Sequence, residues 1–141
     1  MEIRPITETY AVSPQIEPAD LPAIKAAGYV AVICNRPDDE VASEVQAAAL
    51  KIATEAAGLT FFAIPVTHQT LDMQMVAEQM DAVAKAGGPV LAYCASGTRC
   101  SIVWSLGQAG KMPTDAIIAA TAKAGYDLSG LRPRLEALIA G

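Results

Sequence analysis

Six consecutive residues, Cys94-Ala95-Ser96-Gly97-Thr98-Arg99, gather a nucleophile, a flexible glycine, two hydroxyls and a permanent cation in one short segment. A cysteine attacks as its thiolate, so it needs neighbours that favour the anion. Gly97 permits the positive φ that a loop wrapped around an anion requires, and Arg99 offers a planar fork for two oxygens. The residues just before, 90–93 (VLAY), are apolar, and helical spacing resumes after Arg99. A strand, a loop and a helix in that order point successive backbone N–H groups into a concavity, and the helix terminus adds roughly half a positive charge. The expectation is a Cys94 thiolate of depressed pKa that forms a covalent intermediate. Ala95, Ser96, Gly97 and Thr98 would form the anion-binding loop, with Arg99 gripping oxygens. The plain alternative, a small buried hydrophobe, is the commoner fate of a lone free cysteine. It leaves the Ser-Gly-Thr-Arg that follows unexplained.

The elements that must position this loop can be read along the chain. Residues 9–13 form a short strand, and Glu17-Pro18-Ala19-Asp20 opens a helix that Gly28 ends. Residues 29–34 (YVAVIC) are continuously apolar and rich in β-branched side chains, as a strand covered on both faces should be. Val41, Val45, Ala48, Ala49, Ile52 and Ala56 carry helical spacing, which predicts a helix over 40–57 closed by Gly58. A strand follows at 60–65 (TFFAIP), then a polar loop at 66–70 and a helix over 71–86. Gly87-Gly88-Pro89 breaks that helix, the strand at 90–93 follows, and three helices at about 100–109, 114–124 and 131–140 complete the chain. Strands alternating with helices imply an α/β sandwich with a mostly parallel sheet, in which ligands bind beyond the carboxyl ends of the strands. The loops after Cys34, Pro65 and Tyr93 all fall at that edge.

Composition narrows the function further. The 141 residues suit one domain, 1–141, with a single core; 52% are hydrophobic and 18% charged, which excludes a disordered chain. The net charge is −5 and no Lys/Arg run exists, so an extended nucleic-acid footprint is not expected. No apolar stretch approaches the roughly 18 residues that span a bilayer, and the N-terminal residues lack a signal-peptide core. A soluble, cytoplasmic protein is therefore expected. Three cysteines without CxxC spacing and a single histidine argue for free thiols, no metal site and no cofactor.

The segment CASGTR after a strand, with residues 28–37 (GYVAVICNRP) upstream and Ile64-Pro65-Val66 between, resembles the bacterial DUF442 family. That family, also called the beta-lactamase hydrolase-like protein phosphatase-like domain, is related to dual-specificity protein tyrosine phosphatases. The resemblance covers nearly the whole chain. It implies a three-layer phosphatase-type sandwich, a mostly parallel sheet with helices on both faces, and a nucleophilic cysteine after a central strand. One feature departs from the tyrosine phosphatases, which place five residues between cysteine and arginine and usually a histidine before the cysteine. Here four residues intervene and Tyr93 stands in the histidine's place. A four-residue loop resembles that of rhodanese-type sulfurtransferases.

The resemblance also directs attention to accessory residues. Dual-specificity phosphatases take their general acid from the loop after the strand at 60–65. Here that loop supplies His68, as acid or anion contact, and Asp72, whose alternative is a place in the first turn of the next helix. Arg36 would add positive charge beside the substrate or pair with Asp38, Asp39 or Glu40. Cys34 and Cys100 are candidate resolving thiols. Cys100 occupies a position where phosphatases place a hydroxyl toward the thiolate, and Ser101 is the candidate substitute for it. The leading expectation is sulfur transfer, with Cys94 carrying a persulfide from a small anionic or sulfane-sulfur donor to a thiol acceptor. That reaction needs no strong general acid. The alternative is phosphomonoester hydrolysis through a cysteinyl-phosphate, and a third class is an anion-binding or redox-sensing module.

Overall fold

The computed structural model describes residues 1–67 and 69–141. Five strands form one sheet: β1 (Arg4–Pro5), β2 (Tyr10–Ser13), β3 (Ala31–Cys34), β4 (Thr60–Ala63) and β5 (Val90–Tyr93), in the order β1-β2-β5-β3-β4. Only β1 runs antiparallel, to β2; the other pairings are parallel. The nucleophile's strand, β5, therefore lies at the centre, between β2 and β3. Six helices join them: α1 (Leu21–Ala26), α2 (Ala47–Ala56), α3 (Met73–Ala86), α4 (Thr98–Gln108), α5 (Thr114–Lys123) and α6 (Arg132–Ala140).

The pleat sorts side chains into two cores. Ala11, Val32, Leu91 and Tyr93 point to one face and are covered by Ile24 of α1 and Leu50 of α2. Tyr10, Ile33, Val90 and Ala92 point to the other, under α3 to α6, where Val76, Val103, Trp104, Ile117 and Leu135 fill the layer. Both faces of β3 and β5 are sealed, which is why those strands read as unbroken apolar runs. The result is the expected three-layer α/β sandwich.

The boundaries differ in three informative places. Strand β1 carries no hydrophobic pattern, being only Arg4 and Pro5, and was not anticipated. Helix α4 starts at Thr98, so Arg99 already sits in its first turn. The helix expected over 40–57 begins only at Ala47. Asp38 accepts a hydrogen bond from the Ala47 amide at 2.8 Å, and Gln46 donates through its side chain to the carbonyls of Asp38 and Val41. These bonds fold residues 38–46 into two short 3₁₀ turns with Val41 extended, instead of a continuous helix. The segment freed in this way reaches the carboxyl edge of the sheet.

Candidate active site

The pleat that buries Tyr93 against α1 and α2 sends the next side chain, Cys94, to the α3–α6 face, where it is 1% exposed. Its backbone is bracketed by the loop after β2. The Cys94 amide donates to the Ser13 carbonyl, and the Gln15 amide to the Ala95 carbonyl, both at 3.4 Å. Gly97 then turns the chain with φ 93° to start α4. No other residue fits, because a Cβ there would collide with the Tyr126 hydroxyl as well as strain the backbone. That hydroxyl donates to the Ser96 carbonyl at 2.8 Å and fixes the loop from outside. The Ser96 hydroxyl accepts from the Thr98 amide at 3.3 Å and pairs with the Thr98 hydroxyl at 2.9 Å.

Within this wrap the Gly97 amide donates to Cys94 Sγ at 3.1 Å. The thiol pKa is lowered to about 5, first by the Cys100 thiol as donor, then by the amides of Cys100, Ser96 and Gly97, against the opposing cost of burial. Cys100 is pushed well up, chiefly by burial and then by the neighbouring Cys94 thiolate, so it keeps its proton and can donate. Ser101, the expected alternative, faces elsewhere and donates to the Gly97 carbonyl at 2.8 Å. The position after the arginine is thus filled by a thiol donor, weaker than a hydroxyl but desolvated.

Arg99 is held by partners from two other loops. Its Nη1 and Nη2 donate to Glu40 Oε2 and Oε1 at 2.8 and 2.7 Å, and Nη1 donates also to the Val66 carbonyl at 2.9 Å. An arginine has five N–H donors. Glu40 and Val66 take three of them, which leaves Nε–H and one Nη2–H, the side fork of the guanidinium, for a ligand bound beside the Cys94 thiolate. After Glu40, that thiolate's charge and hydrogen bonding help hold the Arg99 pKa up. Arg36 donates through Nε to Glu40 Oε1 at 3.2 Å and through Nη1 to Gln15 Oε1 at 3.3 Å. Flanked by Arg99 first and Arg36 second, the Glu40 carboxyl stays below its usual range and is ionised at neutral pH.

Residues 2–111 match the family described as the beta-lactamase hydrolase-like protein, phosphatase-like domain. The chain belongs to this family. A beta-lactamase hydrolase-like protein of Agrobacterium fabrum is 34% identical over 104 residues, or 74% of this chain, and the chain spans only 24% of that relative's length. A solved structure described as a candidate phosphatase, from Neisseria meningitidis, is 38% identical, covers 98% of this chain and 99% of its own, and superposes with a TM-score of 0.86. The structure of Pseudomonas aeruginosa TpbA in complex with phosphotyrosine shares the fold at 13% identity and TM-score 0.64, covering 99% of this chain and 90% of that one.

The remaining expected site residues of this phosphatase-like domain separate clearly. Arg36 forms the ion pair with Glu40, one of its two expected settings. Asp72 is the N-cap of α3, accepting from the Met75 amide at 2.8 Å. His68 lies outside the described residues. Cys34 stands beside Tyr93 in register on the opposite sheet face from Cys94, and its thiol, pushed up by burial, donates to the Arg36 carbonyl at 3.3 Å. Cys100, which shares the α3–α6 face with Cys94 and lowers its pKa, is therefore the better placed of the two thiols. Sequence reasoning missed Glu40 as an active-site residue. It carried no signal beyond an i,i+4 spacing from Arg36, which reads as an ordinary helix-surface pair. Among the described residues, no group of three His, Cys, Asp or Glu side chains could hold a metal ion, and no helix is long and apolar enough to cross a membrane.

Proposed function

We propose that this domain hydrolyses phosphomonoesters through a cysteinyl-phosphate on Cys94, with aryl phosphates as the favoured class. The observation that carries this reading is a desolvated thiolate of pKa about 5 beside an arginine whose side fork remains unclaimed. Cys94 Sγ attacks phosphorus, the P–O bond to the leaving group breaks, and its electron pair departs on the leaving oxygen. Water then attacks phosphorus, the S–P bond breaks, and the thiolate returns to the donors that held it before. Throughout, the loop amides and the Arg99 fork would carry the charge on the non-bridging oxygens.

The preference for aryl esters rests on the carboxylates. Glu40 is held ionised by two arginines, Asp38 caps α2, and Asp72 caps α3. A phenolate departs without a strong proton donor, whereas an alkoxide needs one. The phosphotyrosine in the TpbA structure is an ester of that class. Sulfur transfer, the expectation from loop length, becomes the second reading. The four-residue spacing still favours it, but the matching family is described as a phosphatase-like domain and the Neisseria structure as a candidate phosphatase. Side-by-side turnover of aryl phosphates, thiosulfate and glutathione persulfide tests both. Hydrolysis should dominate and fall steeply as the leaving group's pKa rises. Efficient persulfide transfer with no phosphate release would reverse the order of the two readings.

A further inference from the structure

Three side chains that the chemistry does not use form a buried polar chain directly behind the site. Asn35, at the end of β3, donates through Nδ2 to Gln79 Oε1 at 2.6 Å and to the Ile64 carbonyl at 2.8 Å. Gln79, on α3, donates through Nε2 to Asn35 Oδ1 at 3.0 Å and to the Tyr10 hydroxyl at 2.9 Å. Tyr10, on β2, donates its hydroxyl to the Cys100 carbonyl at 2.9 Å. Asn35 and Gln79 are fully buried and Tyr10 is 1% exposed. The core around them is largely apolar, and a half-paired amide there would be costly. Every polar atom in this chain has a partner.

What the chain connects gives it a purpose. At one end is the Cys100 carbonyl, in the first turn of the helix that carries Arg99 and supplies the thiol donor to Cys94. At the other is Asn35, whose backbone amide bonds the carbonyl of Tyr93, the residue before the nucleophile, while its carbonyl accepts from the Val66 amide; both distances are 2.9 Å. Val66 in turn accepts from Arg99. Arg36 and Glu40, the remaining parts of the arginine dock, follow Asn35 in the same loop. We infer that Asn35, Gln79 and Tyr10 act as positioning residues that set the arginine dock relative to the nucleophile helix. None of the three hydrogen-bonds to the Cys94 or Arg99 side chain. They act through the Val66 and Cys100 carbonyls and the loop that carries Glu40. A satisfied buried network admits one arrangement of the elements it joins, whereas an apolar contact at the same place tolerates sliding.

This inference rests on the phosphatase reading only for its turnover assay. Gln79→Leu removes all three hydrogen bonds of the amide while preserving bulk. It should lower kcat/KM for an aryl phosphate by about 10- to 100-fold, because small misplacements of a binding group carry penalties of that size. The dissociation constant of orthovanadate should rise in parallel, while the pH midpoint of Cys94 alkylation stays well below the free-thiol value, since the Ser96 and Gly97 amides that serve Sγ lie outside the chain. General loosening of the fold would instead move that midpoint toward the free-thiol value of about 8.5. The side-chain N–H resonances of Arg99 report the dock without substrate and should lose their distinct, slowly exchanging signals in the variant. Tyr10→Phe keeps the ring stacked on Trp104, 6.3 Å between centroids, and decides the matter should Gln79→Leu not fold. It should cost about 3- to 10-fold in kcat/KM and in vanadate affinity, the scale of one neutral hydrogen bond. Folded variants with wild-type Arg99 resonances and vanadate affinity would overturn the inference. A wild type that fails to hydrolyse aryl phosphate but shows the docked Arg99 signals would defeat the proposed function alone.

Discussion

Cys94 and Arg99 stand five positions apart, yet the molecule holds them by different means. The thiolate is served almost entirely by its own segment: the amides of Ser96, Gly97 and Cys100, and the Cys100 thiol. The guanidinium is served by distant ones, Glu40 from the loop after β3 and Val66 from the loop after β4. A local cradle forms when one short loop takes its conformation. A docked arginine needs three loops in register, and its geometry is exposed to changes far away in sequence. Activation of the nucleophile should therefore be robust to remote substitutions, and oxyanion recognition sensitive to them.

The largest effect expected is at the nucleophile itself. Cys94→Ser replaces a thiolate with a hydroxyl that remains protonated at neutral pH, and turnover should fall by at least about a thousandfold. Retention of more than a few per cent of wild-type rate would mean that the covalent step lies elsewhere. Cys34→Ser should leave the reaction largely intact, since Cys34 occupies the opposite sheet face.

The arginine half comes next. Arg99→Lys keeps the charge but loses both the fork toward Glu40 and the one left free. A drop of roughly 10- to 1000-fold in kcat/KM is expected. Glu40→Gln keeps one acceptor oxygen and removes the negative charge, so the guanidinium is held by Val66 and a single bond to an uncharged acceptor. A loss of about 10-fold is expected, equivalent to one charge-assisted hydrogen bond of roughly 1.4 kcal/mol. It should appear mainly in KM and vanadate affinity, with Cys94 alkylation unaltered. An increase in kcat/KM would show that Glu40 competes with substrate for Arg99, contrary to its assignment as the residue that orients it.

The same division explains what was legible in the sequence. The continuous apolar strands and the Cys94–Arg99 loop are local patterns, legible together with the sheet edge where they meet. Thr98 rather than Cys100 starts α4, because the Ser96 hydroxyl and Gly97 already set up the first helical turn. The segment 40–46 reads as helix in the sequence, since its apolar spacing is helical while its fold is set by Asp38 capping Ala47 and Glu40 pairing with Arg99, 59 positions away. Gln79 and Tyr10 carry no motif, and Asn35, inside the 28–37 segment, gives no sign of its buried partners. Each is an ordinary residue type, and only the packing of α3 against the sheet brings them together.

The smallest effect at neutral pH, and the sharpest test of the local half, concerns Cys100. Its thiol is the largest single influence lowering Cys94, so Cys100→Ala should raise the midpoint of Cys94 alkylation from about 5 toward the ordinary thiol value, while Cys100→Ser, with a hydroxyl donor in place, should hold it near the wild type. At pH 7 a midpoint one unit higher still leaves about 90% thiolate, so the neutral rate should barely change, and the difference should open below about pH 7, reaching about 90% against about 50% thiolate at pH 6. The sign of the stability linkage follows from the same shift. An acid whose pKa is depressed on folding stabilises the fold above its unfolded value, about 8.5 for a thiol, and that contribution fades as pH falls through its folded value, about 5 here. Between those limits the wild type should gain stability with rising pH more steeply than Cys100→Ala, as read from urea unfolding at pH 5, 6.5 and 8. Identical alkylation midpoints in the wild type and Cys100→Ala would mean that the loop amides alone activate the nucleophile and that the buried thiol is only packing.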